Sequence, residues 1–414
     1  MNRRIFTTML ASSLVAGKSW ANTENTPFAF YASVGPELTL YAVDVDRETL
    51  TRRSSVQVPG NVQYAWPHPS KRYLYVVSSN GEPGGGDAPK GDVHVATAFQ
   101  IGPGGALTSH GYIRLPSRPI HTSVDGSGQF LLIAYNDPSN VTVNRLNSDG
   151  TIGDRVTQRV APDAGIYAHQ IRTAPGNRTA VLVTRGNNAT KTHGEDPGAL
   201  KVFAFADGQL TKVQSLAPNN GYGFGPRHLD FHTTLPFAYV SLERQNRLYT
   251  YGLNRDGTLS ANPVFMKNSL ADPEHAHPGQ GAGTVHIHPN GRFIYQANRN
   301  ANVVDFNGQK VFAGGENNMA VWSIDQTTGE PTLIQTIDGR GIQLRTFGID
   351  PSGRLLVAAS IQPLPIRSGN SVASLSAGLT VYRIGSDGKL IFARKYNVDT
   401  SKGTQFWSGM VPLA

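Results

Sequence analysis

The sequence contains no cysteine, which excludes several classes of chemistry at once. A chain without thiols has no disulfides, cysteine nucleophiles, thiolate-bound metals, iron–sulfur clusters or covalently attached c-type haem. Basic tracts are also lacking: the formal net charge is +8, yet no run of five lysines or arginines occurs. Aromatic residues are not interleaved with the basic ones either. We therefore expect no nucleic-acid partner.

Long apolar segments are scarce, and the hydrophobic stretch near the N-terminus is too short to span a bilayer of about 30 Å. This stretch follows the pair Arg3-Arg4 and precedes the small-x-small sequence Ser19-Trp20-Ala21. The arrangement predicts an export signal over residues 1–21. The paired arginines favour the twin-arginine route, with an ordinary secretory signal as the alternative. We expect a periplasmic protein with a single mature domain over residues 22–414 and no membrane partner after cleavage.

Glycine and proline are abundant, at 45 and 26 of 414 residues, and they mark an internal repeat. A turn, which in some copies has the sequence Pro-x-Gly, precedes a buried-looking hydrophobic run in six places. A second type of strand precedes a tight turn in seven places, and its central residue is aromatic in every copy except the third, which has Asn144. The seven central positions are Tyr41, Phe99, Asn144, Phe203, Tyr251, Trp322 and Tyr382. Between the first and last of these, six intervals average about 57 residues, enough for four strands each.

Seven four-stranded antiparallel sheets arranged radially form an all-β, seven-bladed β-propeller. We label the strands of each blade A to D, from the centre outwards. The first repeat lacks its strand A, because the mature chain reaches strand B at residues 27–35. The C-terminal segment 404–412 resembles the strand A at 63–69. The sequence therefore predicts that 404–412 pairs with 27–35 and closes the ring.

The long insertions all fall in connections that share one face of this propeller, which we call the upper face. They are the B–C loops 80–94, 187–199, 300–318 and 363–378 and the D–A loop 266–283. The tight Pro-x-Gly and Asp-Gly turns lie on the opposite, lower face. A rigid scaffold that elaborates the loops of one face indicates where its functional site lies.

Polar side chains are predicted to surround the upper mouth of the central channel. Counting back six residues from each Pro-x-Gly turn gives the upper ends of strands A: Gln63, Ile120, His169, Arg227, Gly283 and Arg345. The upper ends of strands B are Ser79, Asn136, Arg185, Glu243, Arg299 and Ile361. Guanidinium groups bind anionic ligands and stabilise an oxyanion, and a histidine near neutrality moves protons. This set suits addition of water to a lactone carbonyl, without a metal or other cofactor.

The chain resembles the seven-bladed lactonase family, which contains bacterial 6-phosphogluconolactonases and fungal carboxy-cis,cis-muconate lactonizing enzymes. The resemblance rests on three motifs: His169-Gln170 ahead of Pro175, Gly225-Pro226-Arg227-His228 with Glu243, and Pro289-Asn290-Gly291-Arg292 with Asn298-Arg299. It implies the catalytic residues His169, Arg227, Glu243 and Arg299. Our candidate substrate-binding residues are His121, Asn136, Arg185, His228 and Arg345, and we assign no metal ligand.

The sequence favours hydrolysis of a sugar lactone or carboxylated lactone by a monomer, and it leaves alternatives open. A muconate-type cycloisomerase would use the same charges, because both reactions stabilise negative charge next to a lactone. A non-catalytic binding or scaffold propeller is the alternative outside enzymes. A metal enzyme is a further option, since Glu274, His275 and His277 share one loop. His288 does not extend that set, because it lies at the far end of its strand, roughly 16 Å below Gly283.

Overall fold

The computed structural model describes residues 27–82 and 88–414; the predicted export signal lies outside these residues. Seven four-stranded antiparallel sheets surround a central channel, which confirms the predicted fold class. Blade 1 takes three strands from the N-terminal part of the chain: β1 (Phe28–Val34), β2 (Glu37–Asp44) and β3 (Thr49–Gln57). Blade 2 contains β4 (Asn61–Pro67), β5 (Tyr73–Ser79), β6 (His94–Ile101) and β7 (Leu107–Arg114). Blade 3 contains β8 (Pro119–Val124), β9 (Phe130–Asn136), β10 (Ser139–Leu146) and β11 (Ile152–Arg155).

The remaining blades repeat this order. Blade 4 contains β12 (Ala168–Thr173), β13 (Thr179–Thr184), β14 (Ala199–Ala206) and β15 (Gln209–Leu216). Blade 5 contains β16 (Pro226–Phe231), β17 (Phe237–Leu242), β18 (Arg247–Gly252) and β19 (Phe265–Asn268). Blade 6 is interrupted by the hairpin β22 (Val303–Phe306) and β23 (Gln309–Phe312); its own strands are β20 (Gly281–Ile287), β21 (Phe293–Arg299), β24 (Asn318–Ile324) and β25 (Pro331–Asp338). Blade 7 is interrupted by the hairpin β28 (Leu364–Ser368) and β29 (Ser371–Leu375); its own strands are β26 (Leu344–Ile349), β27 (Leu355–Ser360), β30 (Gly378–Ile384) and β31 (Leu390–Asn397).

The first and last strands of the propeller meet in blade 1, as the sequence predicts. The last strand, β32 (Ser408–Pro412), pairs antiparallel with β1, and Met410 lies opposite Phe30. Each inner strand contacts the inner strands of both adjacent blades, in the cyclic order β32, β4, β8, β12, β16, β20, β26 and back to β32. The ring is therefore closed by hydrogen bonds between the two termini of the propeller.

Burial follows the position of each strand within its blade. The B strands, such as β9 and β27, are buried along their whole length because other blades cover both of their faces. This explains the continuous hydrophobic runs that follow the Pro-x-Gly turns. The outer strands β7 and β15 lie largely exposed at the rim. The hydrophobic core is accordingly divided among the interfaces between neighbouring blades.

Three histidines on the lower face connect neighbouring blades. In each, Nδ1 accepts the backbone N–H two residues further along its own turn, so Nε2 carries the proton and donates it to a glycine carbonyl of the next blade. The pairs are His68 with Gly128 (2.9 Å), His232 with Gly291 (2.7 Å) and His288 with Gly353 (2.8 Å). The glycines have φ between +71° and +75°, which the tight turn requires. We call these contacts the histidine latches.

The upper face carries the irregular structure. Within the predicted B–C loops 300–318 and 363–378, the hairpins β22–β23 and β28–β29 pack on each other. The guanidinium group of Arg367 lies 4.7 Å from the ring centre of Phe306. Elsewhere in the described residues, short 3₁₀ turns occur at Pro103–Gly105, Pro218–Gly221 and Pro273–His275. Across the described part of the chain, no helix is long and apolar enough to span a membrane.

Candidate active site at the upper mouth of the channel

β-Bulges direct the predicted rim residues into the channel. Five inner strands each skip one residue in their pairing with strand B, close to the upper end of the strand. The skipped residues are Gln63, Ile120, His169, Arg227 and Arg345. A bulged residue leaves the ladder and its side chain is turned away from the sheet. The positions found by counting six residues back from each turn are therefore the positions at which a bulge interrupts the pairing of strands A and B.

Four of these five residues, all except Gln63, line a cavity of about 300 Å³ together with their neighbours. Five arginines line it: Arg118, Arg185, Arg227, Arg299 and Arg345. Glu243 is the one carboxylate among the described residues that line it. The cavity thus holds four more guanidinium groups than carboxylates, which is an unusual concentration of like charge in a partly buried space.

Glu243 is the anionic centre of this arrangement. Its Oε1 accepts a hydrogen bond from Arg299 at 2.5 Å, and its Oε2 accepts one from Arg185 at 3.3 Å. The Nε atom of Arg227 lies 3.8 Å from Oε1. Burial alone would raise the pKa of Glu243, but the charges of the three arginines outweigh burial and hold this pKa well below its usual range. Glu243 is therefore ionised, and it positions the guanidinium groups.

His169 is held neutral beside these charges. Its Nε2 accepts a hydrogen bond from Nη1 of Arg227 at 3.0 Å, which leaves the ring proton on Nδ1. Nδ1 has no hydrogen-bond partner among the described residues. Burial, reinforced by Arg227 and the other arginines, lowers the pKa of His169 well below its ordinary value. At neutral pH the imidazole can therefore accept a proton only if Arg227 releases Nε2.

The aromatic ring of Phe406 packs against Arg345 in the wall of the cavity. The guanidinium carbon of Arg345 lies 3.4 Å from the ring centre of Phe406, and Nε of Arg345 donates to the Phe406 carbonyl at 3.0 Å. Phe406 belongs to the segment that leads into the closing strand β32. Burial and the nearby arginines hold the pKa of Arg345 well below its ordinary value, and they lower that of Arg227 to about 9. Both shifts reflect first the burial of the guanidinium groups and then the repulsion from neighbouring arginines.

Comparison with known proteins assigns the family. A family model described as a seven-bladed β-propeller lactonase matches residues 29–362, well over half of the chain. The chain belongs to the seven-bladed β-propeller lactonase family. This family member is 29% identical over 310 residues to a 6-phosphogluconolactonase of Pectobacterium carotovorum, covering 75% of this chain and 80% of the relative. It is 27% identical over 327 residues to a 6-phosphogluconolactonase of Bacillus subtilis, covering 77% of this chain and 83% of the relative.

Among solved structures, the periplasmic gluconolactonase of Pseudomonas aeruginosa has the same fold. The TM-score is 0.68 at 20% sequence identity, and the superposition covers 94% of this chain and 99% of that structure. A likeness at this level of identity establishes the shared propeller.

The structure brings together six of the nine predicted site residues of this lactonase-family chain. His169, Arg185, Arg227, Glu243, Arg299 and Arg345 all line the upper cavity. Asn136 stands behind the cavity wall, where its side-chain oxygen accepts a hydrogen bond from Arg118 at 3.3 Å. The remaining two, His121 and His228, lie further down the channel. The His228 ring centre is 5.0 Å from that of His169, and the His121 ring centre is 6.4 Å from that of His228.

Several lining residues are absent from the sequence-based set. Arg118, Tyr167 and Gln343 each stand two residues before a rim position, so the same count extended by two residues finds them. Tyr167 and Gln343 have φ of +57° and +58°, an uncommon conformation for side chains of this size. Such backbone strain is concentrated at functional sites. The Tyr167 ring also supports Arg185, whose guanidinium carbon lies 4.1 Å from the ring centre.

His275 and His288, two of the histidines in and after the loop considered for a metal site, have other partners. Nδ1 of His275 contacts the carboxylate of Asp272 at 2.9 Å on the exposed surface. His288 forms a latch with Gly353 on the lower face. In the described ranges, no group of three or more histidine or acidic side chains is arranged to hold a metal ion.

Proposed function

We propose that this protein hydrolyses an anionic lactone, either a phosphorylated sugar lactone or a carboxylated lactone, in the upper cavity. The observation that carries the proposal is the excess of four guanidinium groups over carboxylates around that cavity. Such an excess favours a ligand that brings negative charge with it. The names of the relatives, which are 6-phosphogluconolactonases, support the same substrate class.

The lactone carbonyl would lie against Arg227. As water adds to the carbonyl carbon, negative charge develops on the carbonyl oxygen, and a guanidinium group already in place stabilises it. Donation to that oxyanion draws Arg227 away from His169, whose Nε2 it occupies at 3.0 Å in the resting site. The lone pair on Nε2 becomes available at the step that needs a base.

His169 would then move the proton. The oxygen of water bonds to the carbonyl carbon, and the proton that it loses passes to Nε2 of His169. When the ring C–O bond breaks, His169 returns this proton to the leaving alkoxide. The products are a hydroxyl group and a carboxylic acid, which ionises. Glu243 is a positioning residue in this scheme, because three arginines hold its pKa too low for it to serve as the base.

A panel of lactones tests the proposal. Purified protein is assayed with a pH indicator against gluconolactone, 6-phosphogluconolactone and a carboxymuconolactone, with a chelator present. We expect turnover of an acidic lactone to exceed that of neutral gluconolactone and to survive the chelator. Loss of activity with the chelator would overturn the metal-free scheme. If no lactone is hydrolysed and a muconate-type diacid is cyclised instead, the cycloisomerase alternative replaces hydrolysis; if neither reacts, a binding propeller does.

We also propose that the protein is exported to the periplasm by the twin-arginine route. The Arg3-Arg4 pair and the predicted cleavage after Ala21 support this, as does the periplasmic relative of the same fold. N-terminal sequencing of the mature protein should begin at Asn22. Replacing both arginines with lysine should stop export, and continued export would leave the general secretory route.

A further inference from the structure

The lower end of the channel contains a second cavity, of about 290 Å³, that the proposed lactonase site does not use. Its walls come from the lower halves of the inner strands β4, β16, β20 and β26 and from most of β32. Arg227 of the upper cavity and Asp230 of the lower one lie on the same strand, three residues apart. At about 3.3 Å per residue they are separated by roughly 10 Å along that strand. The two cavities therefore open at opposite ends of the channel and share no lining residue.

The walls of the lower cavity are largely aromatic and apolar. Tyr64, Trp66, Phe347 and Trp407 contribute rings, and Met410 contributes a flexible thioether. Ser408 also lines the cavity, but its hydroxyl is engaged with the hydroxyl of Thr346 at 3.0 Å. These walls favour a flat hydrophobic ligand. The upper cavity differs, because five arginines line it.

A polar cluster centred on Asp230 lies at the wall of this apolar cavity. Asp230 accepts hydrogen bonds from Arg172 at 2.5 Å and from the backbone N–H of Ile287 at 3.1 Å, and Nδ1 of His286 lies 3.5 Å from its Oδ2. Arg172 also covers the ring of Trp66, with its guanidinium carbon 5.1 Å from the ring centre. The charge of Asp230 is thus already balanced by Arg172, and Asp230 fixes the orientation of the His286 ring.

The orientation of His286 determines what the cavity offers to a ligand. In the neutral imidazole the carboxylate beside Nδ1 keeps the ring proton on that atom, so Nε2 presents a lone pair. Nε2 has no hydrogen-bond partner among the described residues, and the side chain of His286 is 29% exposed. Its ring meets that of Phe347 edge-on at 4.9 Å between ring centres. The cavity therefore combines aromatic walls with a hydrogen-bond acceptor at one edge.

We propose that the lower cavity is a binding site for a small neutral aromatic alcohol of the phenol class. The ring would pack between the aromatic walls, and its hydroxyl would donate to Nε2 of His286. A charged ligand fits less well, because the ion pair of Asp230 with Arg172 leaves no surplus charge. A sugar fits less well, because its several hydroxyl groups would need more partners than one imidazole supplies. The cavity volume accommodates a single substituted ring.

Calorimetric titration of the full mature protein with p-cresol tests this site, with toluene and benzoate as comparison ligands. Cresol should bind about tenfold more tightly than toluene, the effect expected of one net hydrogen bond, and more tightly than benzoate. Trp66 and Trp407 line the cavity, so binding should also change the intrinsic fluorescence. Tighter binding of benzoate, or no cresol binding up to its solubility limit, would overturn the proposal.

Two variants locate the binding. His286→Phe keeps an aromatic ring but removes the acceptor, so it should reduce the affinity for cresol to that for toluene. His275→Phe makes the same change at an exposed histidine and should leave the affinity for cresol unaltered. Melting temperatures establish that both variants fold, and Phe347→Leu provides a second wall variant that should weaken both ligands. Unchanged cresol affinity in folded His286→Phe would refute the assigned contact.

Discussion

At the scale of single residues, the upper cavity depends on Glu243 for its stability. This carboxylate contacts three of five confined arginines, and its side chain is only 17% exposed. Removing one partner from a buried ionic network leaves the others uncompensated, which costs about 3–5 kcal/mol. An anion bound in the cavity should supply the missing charge.

We therefore predict that Glu243→Gln lowers the free energy of unfolding by about 3–5 kcal/mol, and that citrate or phosphate restores part of the loss. Urea unfolding with and without the anion measures both effects. Glu330→Gln is the matched control, because Glu330 pairs with Lys267 on the surface, where an ion pair contributes at most about 1 kcal/mol. Equal losses in the two variants would show that Glu243 does not hold the cluster.

Most of the charged residues at this site could be predicted from the sequence, because each has a fixed distance from a recognisable turn. His169, Arg227 and Arg345 each stand six residues before the same position of the turn that joins strands A and B, and the bulge turns each into the channel. Phe406 could not be found in this way. It belongs to the closing segment, where no Pro-x-Gly turn follows to set the count.

At the scale of secondary-structure elements, the histidine latches set how the lower turns of adjacent blades fit together. His232 donates to Gly291 through Nε2, while its Nδ1 accepts backbone N–H groups of its own turn. One side chain thus fixes a turn and joins two blades. Leaving buried polar groups without partners costs about 1–3 kcal/mol for each group.

We predict that His232→Ala lowers the free energy of unfolding by at least about 2 kcal/mol, because it leaves the Gly291 carbonyl and the turn amides without their partner. His275→Ala, at an exposed histidine, should change it by less than about 0.5 kcal/mol. Denaturant unfolding of both variants measures the difference. A neutral effect of His232→Ala would mean that water replaces the latch.

The ring closure was predictable and the pairing of the upper hairpins was not, for different physical reasons. Segments 27–35 and 404–412 are each incomplete as a blade, so the missing strand identifies its partner. Hairpins β22–β23 and β28–β29 lie in loops without a repeat pattern. The two hairpins belong to different blades, and their contact depends on how the folded blades are arranged. The residues of each loop alone do not predict it.

At the scale of the whole molecule, the channel contains a column of neutral histidines that makes folding sensitive to acid. Burial is the main cause that lowers the pKa of His121, His169 and His228 well below 6.5. The unfolded chain takes up protons near pH 6.5, whereas the native chain does not. Stability is therefore retained above that pH and is lost as the pH falls below it, by about 1.4 kcal/mol per pH unit for each histidine.

We predict that His121→Phe reduces this loss by about 1.4 kcal/mol in total between about pH 7.5 and 5.5, since both His121 nitrogens are buried without hydrogen-bond partners in the described structure. Urea unfolding between about pH 7.5 and 5.5 measures the slope. The exposed His275→Phe variant should keep the wild-type slope. An unchanged slope in His121→Phe would show that this imidazole is not held neutral by the fold.

The most direct test of the proposed function is kcat/KM for the best lactone substrate in three variants, Arg227→Ala, Arg299→Ala and His169→Ala. Each should lose about 10²–10³ in kcat/KM, the typical effect of removing one group that stabilises the transition state, and each variant is assayed well below its own melting temperature so that unfolding does not contribute to the loss. Arg383→Ala is the control, because Arg383 pairs with Glu48 on the surface and should keep full activity. Full activity in all three cavity variants would contradict the assignment of catalysis to the upper mouth.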